Sequence, residues 1–306
     1  MVRICIKTVR FRTEPVRKHF MPIERRLRLG RHGISSTYSP RLRLKVGEGW
    51  GDRTGDDVTL GDVFSEAEVA RLYRHRAPYP DGVFAILRRL LVAPRRVLDV
   101  GAGTGALARP MLAFAERVDA VDPSGAMIDE GRRLPGGDDP RLHWVAARFE
   151  DAHLSSPYGL ITAGASLHWL DLDAALPRLR DALAPGAVMA IADTENLHGA
   201  YHPEILAVIK EHSEVEHHVE TTELMAGLRA ADRFVIEGQE RTAPAAFEQS
   251  VDDYLEMLHS TSTLARVRLR DRASRFDEQI RAVFARHRLG RIRFGVIGVV
   301  IWGHPT

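Results

Sequence analysis

Cysteine is almost absent from this chain of 306 residues, in which Cys5 is the single example. One thiol cannot build a disulfide framework, a thiolate zinc site or a cysteine relay, so these classes of protein are excluded. We expect a reducing, cytoplasmic setting.

Long hydrophobic runs are also lacking. The longest is FGVIGVVIW at residues 294–302, whereas a membrane-spanning helix needs about 20 apolar residues. No apolar segment of signal-peptide length follows the charged N-terminus. The run predicts a buried strand, and we expect no membrane partner.

A strong net charge is missing as well, but the charges are unevenly placed. The chain is +2 overall; residues 1–60 hold 14 Lys and Arg against 6 Asp and Glu, and the remainder holds 29 against 35. Such a basic arm can bind nucleic acid or can be a solvated extension. Because aromatic residues do not alternate with its charges, we expect a poorly ordered extension over 1–60 and no nucleic-acid partner. A true start at Met21 is a third interpretation.

Residues 95–195 alternate between apolar runs and helical patterns. The apolar runs predict strands at 95–101, 117–124, 142–149, 158–170 and 187–193, and the segments between them predict helices at 106–116, 125–134 and 171–183. Strands separated by helices form right-handed crossovers and a parallel sheet covered on both faces. The fold class is therefore a Rossmann-like, doubly wound α/β domain, which we place at 61–306 with its core at 95–195.

The segment before this core is predicted to form two helices, and the segment after it is predicted to contain both strands and helices. Ser65 and Glu68 have the spacing of a capping box, so a helix is expected to start there, and Asp81 is expected to cap a second helix after Pro78 and Pro80. The tail predicts one strand at 233–247, helices at 251–287 and a closing strand at 291–303.

The stretch VLDVGAGTGALA, residues 97–108, follows the first strand with glycines at Gly101, Gly103 and Gly105. Glycines at the carboxyl end of a strand let the backbone approach a ligand closely. The dinucleotide fingerprint needs a third glycine where Ala106 stands. Asp99 and the lack of nearby basic residues favour a cationic ligand over a pyrophosphate. Asp122, at the end of the second strand, is placed to accept the hydroxyls of a ribose.

Four blocks carry a family resemblance: VLDVGAGTGALA, VDAVDPSGAMIDEGRR, VAARFEDAHL and YGLITAGASLHWLDLDAALPRLRDALAPGAVMAI. In order and spacing they resemble class I S-adenosylmethionine-dependent methyltransferases of the small-molecule type, similar to the trans-aconitate and ubiquinone/menaquinone methyltransferases. LYRHRAPYP resembles their lid segment, so 62–94 and 195–290 would supply lid and acceptor elements. The resemblance implies strand order 3-2-1-4-5-7-6 and S-adenosylmethionine as cofactor.

The same resemblance implies roles for individual residues. Asp99 would lie on the methionyl amino side, Asp122 would clamp the ribose, and Ala165 would lie near the sulfonium. The other expected cofactor-binding residues are Gly101, Gly103, Thr104, Gly105, Pro123, Ser124, Met127, Arg148, Phe149 and Glu150. Core packing competes with adenine contact for Met127 and Phe149. Arg148 cannot accept the adenine hydrogen bond, which moves that role to Glu150 or Asp151.

Methyl transfer from a sulfonium is an in-line displacement. Holding the nucleophile, the methyl carbon and the sulfur in line can supply much of the catalysis, so no conspicuous catalytic motif is expected. His168 is the candidate base, with ordering of its loop as the alternative. The candidate substrate and lid residues are Tyr73, Arg76, Tyr79, Trp169 and Tyr254. Arg76 could bind an acceptor carboxylate or simply lie on a solvated helix face.

The stretch EHSEVEHHVE at 211–220 has histidines and glutamates four residues apart, but it lacks a strict ligand signature. We expect a solvated helix face and no metal site. The expected partner is a small-molecule methyl acceptor, and a homodimer is compatible with the sequence. Two other functions stay open: a nicotinamide-dependent oxidoreductase on a similar fold, and a non-catalytic S-adenosylmethionine-binding protein.

Overall fold

The structure is a computed structural model that describes residues 60–214 and 220–306. Almost all of the basic extension predicted for 1–60 lies outside these residues. Within the described ranges, no helix has both the length and the apolar character needed to cross a membrane.

The elements alternate as the sequence predicts. The strands are β1 (Arg96–Val100), β2 (Arg117–Asp122), β3 (Leu142–Ala146), β4 (Leu160–Gly164), β5 (Met189–Leu197), β6 (Phe234–Arg241), β7 (Ala245–Ser250) and β8 (Arg291–Pro305). The helices are α1 (Ala67–Leu72), α2 (Asp81–Leu90), α3 (Ala108–Met111), α4 (Gly125–Arg133), α5 (Leu172–Ala182), α6 (His202–His212), α7 (Thr221–Ala230), α8 (Val251–His259), α9 (Arg266–Leu269) and α10 (Ala273–Arg286).

One sheet joins all eight strands in the order β3-β2-β1-β4-β5-β8-β6, with β7 also paired to β8. The first five of these strands are parallel, and β8 runs antiparallel to β5. The expected doubly wound α/β fold is confirmed. The carboxyl ends of β1, β2 and β4 lie at one edge, which is where such folds bind ligands.

The strand predicted at 233–247 is in fact two strands, β6 and β7, which lie end to end along β8. Between them Pro244 has no N–H to donate to a ladder. Thr242 bridges the gap, because its N–H donates to the carbonyl of Gly298 at 2.9 Å and its Oγ1 accepts from the N–H of Gly298 at 2.9 Å. The sheet therefore has one strand more than the resemblance implied.

Two helix starts differ from the expectation. Residues Asp62–Ser65 form a 3-10 turn, and α1 begins after Glu66 without a side-chain cap, so the predicted capping box does not form. Asp81 is the first residue of α2 rather than its cap, because Pro80 occupies the capping position. The helix predicted at 106–116 shortens to α3, and hydrogen-bonded turns lead from it into β2.

Buried apolar side chains pack on both faces of the sheet. Leu98, Val100, Ile161 and Ile191 lie on one face, whereas the other buries Val97, Leu107, Ala190 and Val300. A third cluster, which we call the cap core, is formed by α6, α8, α10 and the first half of β8; its members include Tyr201, Tyr254, Phe276, Phe284 and Phe294. Strand β8 thus contributes to both the sheet and the cap core.

Candidate functional site

Three residues of the glycine turn after β1 have the positive φ that favours glycine: +65° at Gly101, +56° at Gly103 and +77° at Gly105. A Cβ on Gly101 would lie 2.5 Å from the Cβ of Ser166, and one on Gly105 would lie 2.7 Å from the Trp144 ring. These two glycines therefore permit close packing. No heavy atom lies within 4 Å of a Cβ built on Gly103, so the middle of the turn is the open surface.

The side chain of Asp122 is fixed to this turn. Its Oδ2 accepts from the N–H of Gly103 at 2.8 Å, and its Oδ1 accepts from the N–H of Ser124 at 2.8 Å. Burial raises the pKa of Asp122, while these two amide hydrogen bonds oppose the rise. The carboxylate that the sequence assigns to a ribose also holds the turn in shape. Thr104 is buried, and its carbonyl accepts from Arg109.

The carboxylate of Asp99 lies beneath the turn and is only 1% exposed. The hydroxyl of Thr162 donates to it at 2.7 Å. Burial raises the pKa of Asp99 to about 7, and the nearby Asp122 carboxylate adds to the rise. Because Asp99 is covered, its influence on a ligand would act through its charge rather than its surface.

The loop after β2 links the expected cofactor site to the lid. Pro123 is half-buried, and the Oγ of Ser124 accepts from the N–H of Met127 at 3.1 Å, which caps α4. The same hydroxyl donates to the carbonyl of Phe64 at 2.7 Å. Met127 is 2% exposed and packs with Val63 and its neighbours, so the side chain lies in a core.

The segment after β3 packs against the sheet and against the start of α5. Phe149 is buried among the apolar residues of one sheet face, which matches the packing alternative. The Oε1 of Glu150 accepts from the N–H of Asp171 at 2.8 Å, and its Oε2 lies 3.6 Å from the Nε of Arg148. Glu150 therefore joins this segment to the start of α5.

Residues after β4 form the opposite wall of the edge. Ala165 is exposed and has φ of +49°, a left-handed backbone that is uncommon outside glycine and is found at ligand sites. The ring of His168 lies 4.8 Å from that of Trp169, and the Trp169 ring makes an edge contact with Phe64 at 5.5 Å. Phe64 also contacts Tyr73 at 6.2 Å.

Phe64 was missed by the sequence interpretation. Its one signal is an aromatic residue next to the predicted helix start in DVFSEAEV. We call Phe64, Tyr73 and Trp169 the aromatic wall. It brings together two segments that are far apart in the chain, the one before α2 and the one after β4, at the edge where the glycine turn lies.

Arg76 is half-buried and hydrogen-bonded to the end of α8, and it does not lie on a solvated helix face. Its Nε donates to the Oγ of Ser260 at 2.8 Å, and an Nη donates to the Ser260 carbonyl at 2.8 Å. Its guanidinium carbon lies 3.9 Å from the centre of the Tyr73 ring. Burial raises the pKa of Tyr73; Arg76 opposes the rise, and Asp122 adds to it. Tyr73 therefore lies within electrostatic reach of the expected ribose clamp.

The hydroxyl of Tyr79 lies at the end of β4, where a Cβ on Gly164 would come within 2.8 Å of it. Burial raises the pKa of Tyr79, and the carboxylates of Asp193 and Asp99 raise it further. Asp193 was also missed by the sequence interpretation, because the β5 pattern gives no sign of which edge residue faces a site.

Tyr254 lies elsewhere than expected. It is 2% exposed, and its ring packs 5.2 Å from that of Phe284 inside the cap core. Its burial matches an apolar packing role and sets it apart from the other residues expected in the lid, which are half-buried.

The stretch 211–220 is described only in part, since residues 215–219 lie outside the described ranges. His212 is 4% exposed, contacts Phe276 and hydrogen-bonds with Gln279. The expected solvated face therefore does not include His212. Among the described residues, no group of three potential metal ligands is found.

Comparison with known proteins finds methyltransferases. Residues 97–186 match a family model described as a methyltransferase domain. The trans-aconitate 2-methyltransferase of Methylobacterium nodulans is 38% identical over 37% of this chain and 43% of its own length. The malonyl-[acyl-carrier protein] O-methyltransferase of Halorhodospira halophila is 37% identical over 43% of this chain and 45% of its own. The chain spans less than half the length of these curated relatives.

Solved structures share the fold over a larger region. A structure described as a type II methyltransferase from Anaeromyxobacter dehalogenans aligns with a TM-score of 0.54 and 24% identity, covering 75% of this chain and 97% of the other. A methyltransferase structure from Anabaena variabilis aligns with a TM-score of 0.51 and 16% identity, covering 74% and 98%.

Proposed function

We propose that this chain, which carries a methyltransferase domain at residues 97–186, transfers the methyl group of S-adenosylmethionine to a small-molecule acceptor. The observation that carries the proposal is the arrangement of Asp122 and Gly103. A carboxylate oriented by two backbone N–H groups stands beside the one glycine of the turn whose side is open. That arrangement suits a ribose lying on the turn.

The residues present fit the cofactor's charges. S-adenosylmethionine carries a sulfonium and an ammonium group, and Asp99 and Asp122 place two carboxyl groups at the turn. A pyrophosphate on the turn would be repelled by the charge of Asp99 beneath it, whereas Asp122 suits the ribose of either ligand. When bound, the cofactor supplies an activated methyl group, and the protein's part is to hold the acceptor in line with it. The aromatic wall would help exclude water from that space.

The test is calorimetric titration with S-adenosylmethionine, S-adenosylhomocysteine and NAD(H). We expect the first two to bind and NAD(H) not to bind. Asp122→Ala should weaken binding of both S-adenosyl compounds by about 10- to 100-fold, because a charge-assisted hydrogen bond to the ribose is lost. Asp129→Ala, at an exposed position on α4, is the matched control and should leave affinity unchanged.

Binding of NAD(H) alone would overturn the proposal in favour of an oxidoreductase. Binding of S-adenosylmethionine without formation of S-adenosylhomocysteine, across amine, hydroxyl and carboxylate acceptors, would instead favour a non-catalytic binding protein.

A further inference from the structure

We propose that the acceptor is an amine and that Asp193 binds its nitrogen. This inference rests on the methyl-transfer function proposed above, and it names the substrate class of the same site. Five features of the structure carry it: the place of Asp193 in the sheet, the contacts of its carboxylate, the hydroxyl of Tyr79, the engagement of Arg76 and the aromatic wall.

Asp193 lies one residue beyond the level at which β4 ends. Gly164 pairs with Ala192 across the β4–β5 ladder, and the N–H of Ala165 donates to the carbonyl of Ala192 at 3.1 Å. Asp193 is the next residue of β5 and is half-buried. It therefore borders the carboxyl edge of the sheet at which the glycine turn and Ala165 are found.

The Asp193 carboxylate is oriented by its contacts. The hydroxyl of Thr221, the first residue of α7, donates to its Oδ2, and the N–H of Thr194 donates to its Oδ1 at 2.7 Å. A carboxylate oxygen has two acceptor positions, so each oxygen can accept one more hydrogen bond. A positively charged donor is the group that gains most from such an acceptor.

The hydroxyl of Tyr79 provides a second oxygen at the same edge. It lies against Gly164, and the Asp193 carboxylate is close enough to raise the pKa of its phenol. In the part of the chain that the structure describes, no hydrogen bond to this hydroxyl is found. Since the phenol stays protonated near neutral pH, its oxygen can accept one N–H of an amine without adding charge.

The cation at this edge is Arg76, whose charge opposes the rise in the pKa of Tyr79. Two of its N–H groups donate to Ser260 and its guanidinium is stacked on Tyr73, so part of its binding capacity is already used. A carboxylate acceptor placed against Asp193 would be repelled by the negative charge of that residue. An ammonium group is attracted by the same arrangement, and the neighbouring aromatic wall suits an apolar body.

The transfer balances with this assignment. The bound ammonium first loses one proton to solvent. Its nitrogen lone pair then forms the N–C bond as the C–S bond breaks, and the electron pair of that bond stays on sulfur as a thioether. Positive charge develops on the nitrogen during the step, and the Asp193 carboxylate stabilises it.

The experiment compares matched probes on the full chain. Benzylamine, 2-phenylethylamine, benzoate and phenylacetate are titrated into the protein saturated with S-adenosylhomocysteine, and formation of S-adenosylhomocysteine from S-adenosylmethionine is followed with each. We expect the amines to bind and react and the acids to do neither. Asp193→Asn should raise the KM for the amines about 10- to 100-fold and change the Kd for S-adenosylmethionine less than twofold. Glu195→Gln, two residues along β5 and paired with Arg241 at the surface, is the control that should change neither.

The outcomes separate this inference from the proposed function. Reaction of the acids alone, an unchanged amine KM in Asp193→Asn, or no amine binding in protein that binds S-adenosylmethionine would overturn the amine assignment. Asp193-dependent amine binding without product would support the amine site and contradict methyl transfer. Protein that binds no S-adenosylmethionine would contradict both.

Discussion

At the scale of single residues, two buried carboxyl groups at the glycine turn differ in what surrounds them. Asp122 accepts two backbone N–H groups, which favour its ionised form. Asp99 is more deeply covered, and it accepts from the Thr162 hydroxyl and from one backbone N–H, that of Ala108. Burial therefore dominates at Asp99 and raises its pKa to about 7. The charge of Asp99 therefore changes near neutral pH.

The free energy of unfolding should reflect this. Unfolded, Asp99 titrates near pH 4, so between pH 4 and 7 the folded protein binds the extra proton. The stability associated with this group is therefore highest below pH 4 and falls as the pH rises toward 7. Asp99→Asn removes this pH dependence. The free energy of unfolding of the variant, minus that of the wild type, should therefore increase by about 2 kcal/mol as the pH rises from 5.5 to 7.5.

Urea unfolding at several pH values measures this difference. Asp129→Asn is the control, because it removes a carboxylate that is exposed on α4 instead of buried. A constant offset between Asp99→Asn and the wild type across this pH range would contradict the assignment.

At the scale of elements, the segment before α2 is fastened at two points. The carbonyl of Phe64 accepts from Ser124 beside the glycine turn, and Arg76 donates to Ser260 at the end of α8. The first hydrogen bond connects the segment to the expected cofactor site, and the second connects it to α8 of the cap core. The segment therefore connects the two sides of the site and holds Tyr73 and Tyr79 over the edge.

Ser124→Ala removes the hydrogen bond between Ser124 and the carbonyl of Phe64. It removes the N-cap of α4, which costs about 1 kcal/mol of stability, and it frees Phe64 and the aromatic wall. We expect the KM values for cofactor and acceptor to rise about 3- to 10-fold, the effect of one modest hydrogen bond, with a smaller change in kcat. Steady-state kinetics and thermal unfolding measure the two effects.

Ser124→Thr is the matched control because it keeps the hydroxyl. If Ser124→Ala lowers stability without changing either KM, Ser124 only caps α4 and does not position the lid segment.

The sequence predicted elements best where the pattern is local. Apolar runs identified β1 to β5 and β8. The signal is strongest for β1, β2 and β4, which are buried on both faces and must therefore be apolar throughout. The capping box failed because Ser65 ends a 3-10 turn instead of preceding a helix. The separation of β6 from β7 was also missed, because it depends on Thr242 meeting Gly298, which is distant in the chain.

At the scale of the whole molecule, β8 joins the sheet to the cap core. Its pairing with β5 runs from Gly295 to Gly303, while Ile292 and Phe294 are buried in the cap core. Gly298 lies where α2 crosses β8, and a Cβ there would come within 2.2 Å of Val83. The described residues 220–306 are therefore bound to the core at 95–195, and we expect both to unfold together.

Ligand binding should stabilise this unit as a whole. S-adenosylhomocysteine at 100 times its Kd contributes about 2.7 kcal/mol to the free energy of unfolding, which corresponds to a rise in Tm of about 5–10 °C for a domain of this size. Thermal unfolding followed by circular dichroism measures the shift as one cooperative transition.

The Asp122→Ala variant should show about one sixth to one half of this shift at the same ligand concentration, because its Kd is expected to be about 10- to 100-fold higher. Two separate transitions, of which only one moves with ligand, would contradict the expectation that cap and sheet unfold together.

The sequence by itself determined the glycine turn on which the proposed cofactor site rests. The glycine spacing, the acid before it and the acid at the end of β2 lie within short segments, and positive φ and close packing require glycine at those positions. The tertiary structure decided which residues border the proposed acceptor side. Tyr79 lies against Gly164, and Asp193 follows the residue paired with Gly164, only because the strand order places β4 beside β5. Burial of Tyr254 and the engagement of Arg76 by Ser260 likewise depend on packing between distant segments, which local pattern does not encode.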